Sequence, residues 1–217
     1  QKAASLARGK YFKYLDSDDV LYSHSLDLMV EALERYSDAG LALSHSAPEA
    51  EAPYPLVLSA RSAYERQFLD RGCLNCGPSG AIIRRKAFEE VGGYVSKWGV
   101  VADIDLWYRL AARWPVVLLP PGLVWWRRHG GQEFSATDAD LSYLRDGFEI
   151  TQAALSSKHC PLNEAARSKA LERCRQHHAR RLLALALHQH RPVTAARLYR
   201  ESGLSFSELL QGFRSYR

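Results

Sequence analysis

Through the first 135 residues, short runs suited to β-strands alternate with segments of helical period, and carboxylates stand at the ends of strands. Such alternation restricts this part of the chain to α/β layering, a sheet covered by helices. KAASLARGK reads as the end of a helix stopped at Gly9, and YFKYL (11–15) as an aromatic-rich strand. Leu26, Met29, Val30 and Leu33 recur at helical spacing over 23–38, with Ser23 or Ser25 as the N-cap. GLALSH (40–45) predicts a second strand, whereas Pro48, Pro53 and Pro55 make 46–66 loop-like. GAIIRRKAFEEVGGY (80–94) runs from strand into a helix closed by Gly92 and Gly93. Residues 103–114 form a helix with Leu106, Trp107, Leu110 and Ala111 on one face, and VVLLP and LVWWRR are two further strands.

Beyond Phe134 the strand signal stops. Helical spacing fills 137–157, a long segment over about 163–190, and two shorter ones around VTAARLYRES and FSELLQGF. One such hairpin is too little for a repeat architecture. The expected organisation is therefore an α/β part over 1–135 and an all-helical extension over 136–217.

Composition excludes several classes. No apolar run approaches the roughly 20 residues of a membrane span, so a cytoplasmic protein is expected, with room for a peripheral contact on the membrane's cytoplasmic face. The chain opens on Gln1 without a visible signal peptide, which predicts further sequence upstream. The net charge of +5 comes mainly from arginine, suited to phosphate and carboxylate groups, yet no nucleic-acid motif or dense basic tract appears. Cys73, Cys76, Cys160 and Cys174 do not form a disulfide framework and point to a reducing compartment. CLNC and CRQH have zinc-ligand spacing but lie far apart, and the histidines of 177–190 fall on several faces of one helix, as surface and rim positions do.

The chemistry concentrates in LDSDD. Asp16, Asp18 and Asp19 crowd one strand end, where like charges repel unless donors or a cation compensate. In open α/β sheets ligands bind beyond the carboxyl ends of strands, and clustered carboxylate oxygens suit Mg2+ or Mn2+ shared with substrate phosphates. The alternative is a solvated turn that merely caps the next helix.

Four segments in order, ARGKYFKYLDSDD, GPSGAIIRRKAFEEVGGY, ADIDLWYRLA and WRRH, resemble the family 2 glycosyltransferases. The resemblance covers about residues 1–135. It implies a partial nucleotide-diphospho-sugar transferase sheet of the type-A, Rossmann-like kind with flanking helices, followed by the all-α tail. It also implies an inverting enzyme that moves a sugar from a nucleotide-sugar donor to a glycan, lipid-linked or protein acceptor, commonly in polysaccharide assembly.

By position, the resemblance gives Asp18 to the donor ribose and the metal, Asp19 to the metal, and Asp16 a supporting place on the donor side. Asp103 matches the general base, at a helix start whose partial positive charge would keep it ionised. Arg128 and His129 match basic residues near the donor diphosphate, His129 also as a metal ligand. Ser79, Gly80, Trp98 and Asp105 fall on the acceptor side, with Trp98 or Trp107 able to stack on a sugar, although Trp107 fits the core better. Asp105 and Arg109 form an i, i+4 pair with a structural reading. Ala102 departs from the glutamate common there. The family's nucleobase-binding half precedes the aspartate motif and is expected outside these residues, as a partner segment of the same protein whose strands would pair with an exposed sheet edge. Two other readings stand beside this one. LDSDDV also resembles the nucleophile motif of haloacid dehalogenase-like phosphohydrolases, with Asp16 as nucleophile and Asp18 as acid/base. A degenerate transferase serving as a non-catalytic scaffold is the other.

Overall fold

The computed structural model describes residues 2–44, 52–127, 129–130 and 141–214. It divides into two compact units, 1–130 with 159–162, and 131–158 with 163–217. The boundary expected at 135/136 lies outside the described residues.

The first unit is built on a five-stranded sheet. Its strands are β1 (Tyr11–Lys13), β3 (Leu41–Ser44), β4 (Leu56–Leu58), β5 (Ala81–Arg84) and β6 (Val116–Leu119), in the order β1-β5-β3-β6-β4. β3 and β6 run parallel, and the other neighbours are antiparallel. β2 (Val20–Leu21) and β7 (Val124–Trp125) form a separate two-stranded ribbon. Leu41–Leu43, Ile82, Ile83 and Val116–Leu119 are buried without alternation, as strands covered on both faces are. The helices of this unit are α1 (Lys2–Leu6), α2 (Ser25–Arg35), α3 (Ala60–Leu69), α4 (Arg85–Glu90) and α5 (Ala102–Ala111). Met29, Ala32 and Leu33 of α2 pack on Ala42, Ile82, Val117 and Leu119, which seats that helix on the sheet.

Three local details differ from the sequence reading. α2 begins at Ser25 behind His24, with no side-chain cap, because the Ser25 hydroxyl instead donates to the Leu123 carbonyl (2.5 Å). β4 and α3 occupy part of the stretch expected to be loop. The three prolines all precede Ser59, whose hydroxyl caps α3 by accepting from the Ser62 amide (3.1 Å). The α3 pattern is weak because only Ala63 and Tyr64 are buried on it. The RRK arginines, meanwhile, serve helix ends rather than an anionic ligand. Arg84 donates to the carbonyl of Leu33 in the last turn of α2 and to those of Tyr36 and Ala39 after it, and Arg85 to those of Ala7 and Gly9 after α1. Cationic donors at orphan C-terminal carbonyls are a favourable use of guanidinium groups.

The second unit holds α6 (Ser142–Ser156), α7 (Glu164–Leu187), α8 (Pro192–Ser202) and α9 (Phe206–Arg214). Leu144, Phe148, Leu182, Leu185, Leu198 and Leu204 form its core. The Asn163 side chain caps α7 by accepting from the Ala166 amide (2.9 Å). His178 departs from the surface reading of its histidine cluster. It is buried, its ring stacks on Phe148 at 4.0 Å, and burial pulls its pKa down to about 4. Arg175 pairs with Glu208 and donates to the Gly203 carbonyl, tying α9 and the turn before it to α7. No helix among the described residues is long and apolar enough to cross a membrane.

Candidate active site

β1 pairs antiparallel with β5 in the register Tyr11↔Arg84, Phe12↔Ile83, Lys13↔Ile82. Counting outward from the last pair places Asp16 opposite Ser79. The two meet, since the Asp16 amide donates to the Ser79 hydroxyl oxygen at 2.9 Å. Ser79 lies in a tight 3-10 turn, Pro78–Gly80, and is buried. The aspartate turn closes on itself through the Asp19 amide and the Asp16 carbonyl (3.1 Å).

The β2–β7 ribbon brings the fourth motif to the same place. With Val20 opposite Trp125, outward counting sets Asp18 against Arg127. The Arg127 amide donates to Asp19 Oδ1 (3.2 Å), and His129 Nε2 lies 2.9 Å from Asp18 Oδ2. His129 therefore stands beside the acid trio. Arg128 lies outside the described residues.

Asp103 comes from α5, on which Leu106, Trp107, Leu110 and Ala111 are buried. Its carboxylate accepts from the Ile104 amide at 2.8 Å. The helix start does not hold it at an ordinary carboxylate pKa. Burial, the dominant influence, pushes its pKa up to about 6, local amides oppose the rise, and the negative charge of Asp16 adds to it. Asp16 is itself raised, by burial first and then by Asp19, while the Ser79 hydroxyl and Lys13 pull it down.

The acceptor-side candidates have other duties. Gly80 is buried where an added Cβ would stand 2.1 Å from Cys76 Sγ. Burial raises the Cys76 thiol to about 12, so it is not a thiolate at neutral pH. Trp98 is 7% exposed, with the Lys97 ammonium 4.0 Å from its ring centroid, so it offers no open face for the stacking expected of it. Trp107 is fully buried and donates Nε1–H to the Cys76 carbonyl (2.7 Å). Asp105 pairs with Arg109 (2.7 Å), which donates to the carbonyls of Val91 and Gly93 after α4. That pair fastens the turn carrying Tyr94.

Three neighbours of the site escape motif reading: Lys13, Tyr14 and Tyr94. The hydroxyls of Tyr14 and Tyr94 are buried without a hydrogen-bond partner, their rings meet edge-on at 5.2 Å, and Tyr94 feels the charges of Asp103 and Asp16. Lys13 had one visible signal, a lysine inside an otherwise aromatic and aliphatic strand.

Among the described residues, no three His, Cys, Asp or Glu side chains gather into a metal cage. Mg2+ sites shared with substrate phosphates need only one or two carboxylates. The carboxylates of Asp18 and Asp19 are donors of that kind, with His129 held on Asp18.

Residues 1–92 match the sequence profile of Glycosyl transferase family 2. That match shows the family resemblance for the first part of the chain, including the aspartate turn and the Ser79–Gly80 turn, and it stops short of Asp103. No curated protein matches the chain. Among solved structures, the crystal structure of S. aureus TarS 1-349 in complex with UDP-GlcNAc has a TM-score of 0.61 at 12% identity, over 98% of this chain and 57% of that one. S. aureus TarS 1-349 alone gives 0.57 at 13% identity, over 86% of this chain and 52% of that one. The likeness shows a shared type-A-like α/β fold. The chain spans about half the length of these structures.

Proposed function

We propose that the chain carries the metal and acceptor side of a nucleotide-sugar glycosyltransferase that transfers with inversion. The observation that carries this reading is the meeting of three separate motifs at the aspartate turn, where the Asp16 amide lies on Ser79, the Arg127 amide on Asp19 and His129 on Asp18.

In this reading Asp103 is the general base. A pKa near 6 leaves the carboxylate about nine-tenths ionised at pH 7, yet basic enough to take a proton. Asp103 removes the proton of an acceptor hydroxyl as that oxygen attacks the anomeric carbon. The new C–O bond forms on the face opposite the breaking bond to the diphosphate, so the configuration inverts and the nucleoside diphosphate departs. Asp16 and Asp18 face the donor side, with His129 held on Asp18. Asp19 and Asp18 would hold Mg2+ or Mn2+ together with the donor phosphates, and the metal when bound would offset negative charge on the departing diphosphate. TarS was crystallised with UDP-GlcNAc, so a UDP-sugar is the first donor to test. The phosphohydrolase reading draws no support from the family match or from these structures.

The test, with the upstream nucleobase-binding segment restored to the chain, is UDP release from UDP-GlcNAc with Mn2+ and candidate glycan acceptors, with anomeric configuration read by NMR. Asp103→Asn is expected to lower transfer by roughly 10²–10⁴ while leaving donor binding intact. Undiminished transfer by that variant, or a product of retained configuration, would overturn the reading.

A further inference from the structure

Beyond Lys13↔Ile82, the β1–β5 ladder ends and side chains replace it. The Lys13 ammonium donates to the Tyr14 carbonyl just past its own strand (2.6 Å) and to the Ser79 carbonyl across the gap (2.5 Å). One step further out, the Ser79 hydroxyl receives the Asp16 amide at 2.9 Å. Two strands that separate would normally leave these backbone groups to water. Here one buried serine and one half-buried lysine hold the separated strand ends at a fixed spacing.

A lysine is a costly way to do this. Withdrawing an ammonium from water costs several kcal/mol unless its protons find acceptors. Burial does lower the Lys13 pKa to about 8, against the opposing pull of Cys76, Asp16 and Asp19. Neighbouring Phe12 packs against Phe88 (4.8 Å) and so has the core role on this strand. A residue wanted only for packing at position 13 would be apolar.

We propose that Lys13 and Ser79 form a latch that sets the spacing between the aspartate turn and the turn at residues 76–80, making Lys13 a positioning residue of the site. The ammonium supplies donors that no apolar residue can, and its charge lies among the carboxylates whose mutual repulsion would otherwise spread the turn. The meaning of the latch for catalysis rests on the transferase reading, but its geometry does not.

The experiment compares the full chain with Lys13→Met and Lys13→Arg by amide hydrogen exchange. In Lys13→Met, the Asp16 amide and the Gly80 amide, which donates to the Gly77 carbonyl, are expected to exchange at least tenfold faster together, with β3 and β6 unchanged. Lys13→Arg, which keeps charge and donors, should restore most of the protection. In the transfer assay Lys13→Met should lose kcat with the donor KM retained, and Lys13→Arg should recover it. Unchanged exchange at Asp16 in Lys13→Met overturns the latch. Faster exchange together with no transfer by the wild type, even with the upstream segment restored, supports the latch and sinks only the transferase reading. Should Lys13→Met not fold, the 15Nζ signal of wild-type Lys13 decides. An ammonium held on two carbonyls exchanges its protons far more slowly than surface lysines do, and one indistinguishable from them overturns the proposal.

Discussion

Replacing Asp103 with asparagine should make the protein more stable while removing its proposed base. Burial raises the Asp103 carboxyl from its ordinary 3.8 to about 6. That displacement means the folded state disfavours the ionised carboxylate by about 3 kcal/mol. Asp103 is not fully buried, and screening by nearby solvent reduces this to about 2 kcal/mol. Asparagine has nearly the same shape, keeps an oxygen to accept the Ile104 amide, and carries no charge to desolvate. The sign follows from linkage. Below about pH 3.8 the wild-type carboxyl is protonated in both folded and unfolded chains, and the substitution gains nothing. Between 3.8 and 6 the unfolded chain ionises first and wild-type stability declines, so the gain from asparagine grows and is complete above about pH 6. Thermal unfolding at pH 8 should show Asp103→Asn melting roughly 4–8 °C above wild type, with the two converging near pH 4. A variant that melts lower at pH 8, or an equal gain at both pH values, would refute the reasoning. Stability gained by removing a reactive group is the expected trade-off at an active site.

Gly80→Ala should cost about 1–3 kcal/mol, because its Cβ would stand 2.1 Å from Cys76 Sγ. The double variant with Cys76→Ala should recover much of the lost melting temperature, and the absence of recovery would place the strain elsewhere. In the second unit, His178 is neutral and buried, with its pKa lowered from 6.5 to about 4. Its contribution is complete above about pH 6.5 and lost as the pH falls toward 4, up to about 3 kcal/mol. Helical signal in thermal melts at pH 7.5 and pH 4.5 should show this, and His178→Phe should reduce the dependence. An unaltered pH dependence in that variant would contradict the assignment.

The strand–helix alternation, the aspartate turn, the Gly92–Gly93 stop and the helical tail were legible because each has a local signature in period or backbone chemistry. Gly92 and Gly93, for instance, adopt positive φ angles of 79° and 65°. α3 was not legible, because a helix that buries little beyond Ala63 and Tyr64 carries almost no periodic signal. Motif order could place Asp103 near the acid trio but could not give its ionisation, which depends on burial by residues distant in the chain. Trp98 shows the same limit, since an indole on a loop looks available until packing covers it. Lys13 was read only as part of a strand, because its acceptors are backbone carbonyls, which no side-chain pattern reveals.

The most direct test of the shared site is a carboxyl-carbon NMR titration of Asp103 in the wild type and in Asp16→Asn. A wild-type midpoint near 6 that moves down when residue 16 loses its charge is the predicted result. A midpoint near 3.8, or one unmoved by Asp16→Asn, would mean that the two carboxylates do not face one cleft.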